Sequence, residues 1–274
     1  MESELITQKN PKSPVAEIFR TLRTNIQFMN SKQFLRAILV TSTMPEEGKT
    51  WVSSNLAVTF AQAGKKVVLI DADMRKGRLH RLFQINRIPG LSNYLSGIDE
   101  TGVLETDDVF KFVKQTEVEN LYVIPSGNIP PNPSELLASE KTSQMLEKLK
   151  EVFDIIIMDG TPSMLVTDAV ILSRIVDTTI IVSAYKITRK DGIQKVKKSI
   201  ENVGGKIAGV IVNKMPENIQ KYKSTYYYGS SKTKGRRAHE TTPKDSIDKY
   251  EDLNAKKSQE IMKQLDEYLK NDDK

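Results

Sequence analysis

The sequence predicts a doubly wound α/β fold on a mostly parallel sheet, and three observations carry that prediction. Six short runs, at residues 36–41, 66–70, 121–124, 154–158, 178–183 and 206–212, are apolar at nearly every position, which marks strands covered on both faces. Longer segments of helical periodicity separate several of them, so strand and helix alternate. The residues able to do chemistry gather just after the runs, at the carboxyl edge where such sheets hold ligands.

Taken in order, residues 11–30 predict an amphipathic helix begun by Ser13-Pro14. Glu17, Arg20 and Arg23 form a charged stripe at three-residue spacing, interleaved with Ile18, Leu22, Ile26 and Phe28. The first strand leads into a helix over 49–63, closed by Gly64 at a C-cap position. After the strands at 66–70 and 121–124 comes a helix over 139–152. The strands at 154–158 and 178–183 follow, then a helix over 188–203 stopped by Gly204 and Gly205, and the last strand. From about Met215 the chain turns polar, with a tyrosine cluster, a basic run at 232–237 and a charged stretch holding one short helix at 254–269. The expected organisation is an N-terminal helix in residues 1–30, an α/β domain in 31–216 and a flexible tail in 217–274.

Composition removes whole classes of chemistry. The 274 residues contain no cysteine, which excludes a disulfide framework, a thiolate zinc site and a cysteine nucleophile. His80 and His239 are the only histidines and lie far apart, so a histidine-rich metal centre or a Ser-His-Asp triad has no material. Catalysis must come from carboxylates, lysines, hydroxyls or backbone. No apolar run approaches the ~20 residues of a membrane span, and residues 1–4 do not begin a signal peptide, so a cytoplasmic protein is expected. A net charge of +6 admits nucleotides, nucleic acid or an anionic membrane face. Nucleic acid is not expected, because the basic run comes with no stacking platform or recognition helix.

The decisive motif follows the first strand: Thr43, Met44, Pro45, Glu46, Glu47, Gly48, Lys49, Thr50 and then Trp51. A phosphate cradle needs a strand end, a loop exposing backbone N–H groups, a lysine for the β- and γ-phosphates, a hydroxyl for Mg²⁺ and a helix N-terminus. All are present except the first glycine, whose position Thr43 takes. This is a P-loop with deviant Walker motifs. After the second strand, Asp71 and Asp73 are alternate residues of an extended segment, so both can face the crevice beside that loop. An apolar strand ending in Asp159 supplies a Walker B carboxylate for Mg²⁺. Asn213 ends the last strand, where its amide either pairs with an adenine edge or simply terminates the strand.

The stretches from Pro45 to Thr50 and from Val68 to Arg75, with Asp159 and the tyrosines beyond Asn213-Lys214, resemble the bacterial tyrosine kinases that control capsule and exopolysaccharide synthesis. The resemblance covers about residues 10–230. It implies ATP and Mg²⁺ as cofactors, with Lys49 on the phosphates and Thr50 on the metal. Asp71 and Asp73 would serve the incoming tyrosine hydroxyl and the metal, and Asp159 would complete the metal site. It also implies autophosphorylation at Tyr222, Tyr226, Tyr227 and Tyr228, and a ring oligomer joined through Glu17, Arg20 and Arg23. An unfused member of the family works with a separate transmembrane adaptor, which would hold it at the inner face of the membrane, and a tyrosine phosphatase would reset it. The chain departs from the family in the stretch that follows its tyrosines, residues 230–274. The septum-positioning and partitioning ATPases share the fold but carry a second lysine where this chain has Met44 followed by Pro45. A non-catalytic ATP-binding scaffold for a polysaccharide polymerase is the other rival, and intact Lys49, Asp71, Asp73 and Asp159 speak against it.

Overall fold

A computed structural model describes residues 5–29, 35–99, 102–103 and 107–216. The chain runs through α1 (Ile6–Lys9), α2 (Pro14–Phe28), β1 (Ala37–Ser42), α3 (Lys49–Gln62), β2 (Val67–Asp71), α4 (Leu79–Leu82) and α5 (Leu91–Ser96). Two-residue strands β3 (Ile98–Asp99) and β4 (Gly102–Val103), a 3-10 turn (Val109–Phe112), β5 (Lys114–Gln115), β6 (Leu121–Ile124), α6 (Pro133–Ala138) and α7 (Glu140–Val152) follow. The rest is β7 (Ile155–Pro162), α8 (Asp168–Ser173), β8 (Thr178–Ala184), α9 (Lys190–Asn202) and β9 (Ile207–Asn213).

Seven strands make one sheet in the order β5-β6-β2-β7-β1-β8-β9, parallel except for β5, which pairs antiparallel with β6. The doubly wound, mostly parallel sheet expected from the sequence is therefore the fold. Burial explains the uninterrupted apolar runs. Ile38, Val40, Val67, Leu69, Ile155 and Ile157 enter a core on one face with Leu56 and Phe60 of α3. The intervening Leu39, Val68, Ile70, Ile156 and Met158 enter a second core on the other face, with Leu146 and Leu149 of α7. Every position of β1 and β2 is buried, so neither strand has a polar face to alternate with.

The N-terminal residues pack onto α3. Ser13 caps α2 by accepting the Ala16 N–H at 3.1 Å, and Pro14 opens the first turn. Thr7 N–H and hydroxyl both donate to Asn55 Oδ1, and Arg23 donates to the Thr59 carbonyl at 3.2 Å. The apolar face of α2 differs from the expected one. Ala16, Phe19 and Ile26 are buried, whereas Ile18 and Phe28 are 50% and 78% exposed. Phe19 wins the inward position because its ring meets the edge of Trp51, with centroids 5.1 Å apart. Among the described residues no helix is long and apolar enough to cross a membrane. Tyr222, Tyr226, Tyr227, Tyr228, the basic run 232–237 and the helix expected at 254–269 lie outside the described residues.

Candidate active site

Strands β2, β7 and β1 lie side by side and deliver their carboxyl ends to one place. Parallel pairing sets Asp71 opposite Asp159, and β1 on the far side of β7 runs into the loop 43–48. The turn of that loop needs positive φ at Glu46 (67°) and Gly48 (97°). Gly48 is required twice over, because a Cβ there would sit 2.1 Å from Asn213 Nδ2.

The predicted catalytic residues converge. Lys49 Nζ lies 3.1 Å from Asp73 Oδ2 and 3.5 Å from Thr50 Oγ1. Thr50 Oγ1 donates to Asp159 Oδ2 at 2.6 Å. Asp73 Oδ1 accepts the Lys76 N–H at 2.9 Å, so both its oxygens are engaged. Asp71 Oδ2 accepts the Leu79 N–H at 3.1 Å, under Gly77, where a Cβ would come within 2.6 Å of that oxygen. Asp71 Oδ1 and Asp159 Oδ1 are buried and make no hydrogen bond.

Electrostatics follow from this burial. Desolvation, then the neighbouring Asp159 charge, pushes the Asp71 carboxyl well above the ordinary range. Desolvation also raises Asp159, and the nearby Lys49 charge works against it. For Lys49, burial opposes the ammonium, but Asp159, Asp73 and Asp71 outweigh it and raise its pKa. The site thus combines a firmly charged lysine with two buried carboxyls, Asp71 and Asp159, whose proton affinity is raised.

No cluster of three acidic or histidine side chains among the described residues makes a closed metal cage. Mg²⁺ suits that arrangement, since it keeps several waters and uses one or two protein oxygens alongside substrate phosphates. The Thr50 hydroxyl and the two orphaned oxygens, Asp71 Oδ1 and Asp159 Oδ1, are the donor set such an ion would meet.

The side chains of the loop's other residues shape the loop itself. Glu47 is 2% exposed and turns inward: Oε2 accepts the N–H groups of Thr43 (2.7 Å) and Met44 (3.0 Å). Its Oε1 accepts the hydroxyls of Thr43 (2.7 Å) and Thr188. Its carbonyl accepts the Asn213 amide at 2.9 Å, so that amide clasps the loop. The Trp51 ring packs against Phe19 of α2. Met44 stays 44% exposed at the loop's rim.

Sequence reasoning missed two partners. Thr188 completes the Glu47 brace and also accepts the Ala184 N–H at 2.7 Å. Asp168, fully buried at the start of α8, accepts Arg75 Nε at 2.9 Å and the Ser134 hydroxyl at 2.6 Å, tying the segment after Asp73 to α6 and α8. The only local signal for Asp168 is a carboxylate at a helix start, which reads as an ordinary cap.

Comparison with known proteins finds relatives over most of the chain. The AAA domain family matches residues 36–211. The putative tyrosine-protein kinase CapB of Staphylococcus aureus is 40% identical over 226 residues, covering 82% of this chain and 95% of CapB. The crystal structure of the chimerical protein CapA2B2 superposes with a TM-score of 0.71 at 36% identity, covering 79% of this chain and 92% of that one. The septum site-determining protein MinD of Pyrococcus horikoshii, complexed with Mg-ADP, gives a TM-score of 0.54 at 23% identity, covering 69% of this chain and 76% of that one; this likeness is one of fold alone. With its P-loop, its paired aspartates Asp71 and Asp73 at the end of β2 and Asp159 after the apolar stretch of β7, the chain belongs to the bacterial tyrosine-protein kinases.

Proposed function

We propose that this kinase transfers the γ-phosphoryl group of ATP to Tyr222, Tyr226, Tyr227 and Tyr228 of a neighbouring copy, and that this activity serves capsule or exopolysaccharide synthesis. The observation that carries the reading is the convergence of Lys49, Thr50, Asp71, Asp73 and Asp159 at three adjoining strand ends. Mg²⁺, when bound, draws charge from the phosphates. Lys49 neutralises the transferring group and Asp73 fixes the lysine. Thr50 and Asp159 hold the metal. Asp71, unlike Asp73, keeps an oxygen without a partner, and burial raises its proton affinity, which suits it to receive the phenolic proton. As the phenolic oxygen bonds to the γ-phosphorus, the bond to the β,γ-bridging oxygen breaks, ADP leaves, and the proton passes through Asp71 to solvent.

The same reading includes a ring of subunits, a separate transmembrane adaptor that activates the kinase at the inner membrane face, and a tyrosine phosphatase that resets it. The ring would be joined at α2, where Glu17 and Arg20 are partly exposed; within the single chain they pair with each other at 2.6 Å, and Arg20 also donates to the Pro11 carbonyl. Arg23, in contrast, holds α2 against α3.

Lys49→Met is the test. Incubated with ATP and Mg²⁺, with and without the cytoplasmic segment of a candidate adaptor, the variant should form no phosphotyrosine while its circular dichroism matches the parent. Retained autophosphorylation would remove the mechanism.

A further inference from the structure

Between Asp73 and Asp99 the chain has no acidic residue, yet it carries Arg75, Lys76, Arg78, His80, Arg81 and Arg87. Arg75 is accounted for by Asp168. Among the described residues, Arg78, Arg81 and Arg87 have no carboxylate partner and their side chains make no hydrogen bond. His80 and Arg81 are consecutive residues of α4, and the Ile85 N–H donates to the His80 carbonyl at 2.9 Å, which folds the chain back on α4 just before Arg87. Burial first, then the charges of Arg87 and Arg81, hold the His80 imidazole below the ordinary range.

The notable atoms are inside. Arg87 Nε and Nη2 and His80 Nδ1 are each shielded from solvent with no partner. A guanidinium edge stripped of water without an acceptor is costly, and such orphans in native folds point to a missing ion or ligand group. The paired Nε and Nη donors of one guanidinium edge match two oxygens of a phosphate monoester.

The position of the cluster says which phosphate. Leu79 N–H bonds Asp71 and Lys76 N–H bonds Asp73, so this basic segment starts at the carboxylates that the acceptor tyrosine must approach. The acceptor sequence carries Tyr226, Tyr227 and Tyr228 in succession. In any extended peptide, residues two apart are ~6.6 Å apart, so a phosphate on one tyrosine stays near the crevice when the next one enters.

We propose that Arg87, Arg81 and His80 form a subsite for a phosphotyrosine made in an earlier turnover, so that a singly phosphorylated acceptor segment binds better than an unmodified one. The inference rests on the assignment of the tail tyrosines as acceptors. It makes the kinase favour completing a cluster already begun.

The test uses the full chain with Tyr222, Tyr226, Tyr227 and Tyr228 changed to Phe, so that its own tail cannot compete. Fluorescein-labelled peptides of sequence 220–230, unmodified or phosphorylated at the position of Tyr227, are titrated by anisotropy without ATP. The phosphopeptide should bind ~10–100-fold more tightly, the range of one or two charge-assisted hydrogen bonds. In Arg87→Gln the preference should fall below ~3-fold. Arg81→Gln, at an exposed position, should reduce it as well and serves if the first variant misfolds. Equal binding of the two peptides by the parent overturns the proposal, as does a preference that survives both substitutions. Inorganic phosphate displacing the phosphopeptide at the peptide's own Kd would also overturn it, by making this a site for the free ion. Because no turnover is read, a protein that prefers the phosphopeptide but never phosphorylates the unmodified one would sink the acceptor assignment and leave the subsite standing.

Discussion

Glu47 offers the sharpest measurable consequence of the loop's architecture. Its carboxylate takes two backbone N–H groups and two hydroxyls in a place that is 2% exposed. Charge-assisted bonds of this kind contribute ~1.5–3 kcal/mol each, so the two N–H bonds alone are worth ~3–6 kcal/mol. Some of that returns as water fills the vacated space, which puts Glu47→Ala at ~3–5 kcal/mol of destabilisation. Glu47→Gln keeps an oxygen for the N–H groups and offers an amide to hydroxyls that can turn round to accept it, so the charge is the main loss, at ~1–2 kcal/mol. In urea, with a slope of ~2–3 kcal/mol/M, the alanine variant should unfold ~1–2 M earlier and the glutamine variant ~0.5 M earlier. ATP affinity, followed with a fluorescent nucleotide, should fall at least ~10-fold in the alanine variant, because the N–H groups of Thr43 and Met44 lose their fixed direction. An alanine variant within ~0.2 M of the parent in urea, with unchanged nucleotide affinity, would refute the idea that this buried carboxylate shapes the loop.

Gly48→Ala adds a side chain at φ 97° with Asn213 Nδ2 only 2.1 Å away, so nucleotide binding should weaken; adding Asn213→Ala should recover part of the loss and leave the backbone strain of ~1–2 kcal/mol, read by the same titration. Asp71→Asn and Asp73→Asn should each lower the phosphotransfer rate by ~10²-fold or more while ATP affinity changes much less, because their charges act mainly in the transition state; equal losses in rate constant and Kd would make them plain ligands. Light scattering should find the parent as a large oligomer and Arg20→Ala with Arg23→Ala as a monomer; a monomeric parent would rule out the ring, and equally large masses would rule out these arginines as its joint.

The strands were legible because their chemistry is local. Residues of β1, β2 and β7 are buried on both faces, so each run declared itself without knowledge of its neighbours. Lys49, Thr50, Asp73 and Asp159 were legible for a related reason: Lys49 and Thr50 open the helix that follows β1, Asp73 comes two residues after β2, and Asp159 follows the apolar stretch of β7 opposite Asp71, so parallel pairing brings them together. The interior of the loop was not readable that way. Glu47 looks like one more exposed acid beside Glu46; what holds it inward is the folded loop, through Thr43 and Met44, together with Thr188, 141 residues away. Asn213 had two plausible uses, and the structure shows a third, a grip on the loop backbone. On α2 the periodicity gave a helix but misplaced its apolar side, because Phe19 and Ile18 are adjacent and only the location of Trp51 chooses between them.

The clasp between Asn213 and Glu47 joins residues 166 positions apart, and it has a consequence in time. During synthesis the phosphate loop leaves the ribosome early, while the strand that finishes it is the last element of the sheet. At ~5–20 residues per second, the interval is on the order of ten to thirty seconds. Until β9 docks, Gly48 has no amide against it and the Glu47 carbonyl has no donor, so the nascent chain holds an unfinished nucleotide site. Capture of ATP therefore waits until the sheet has closed.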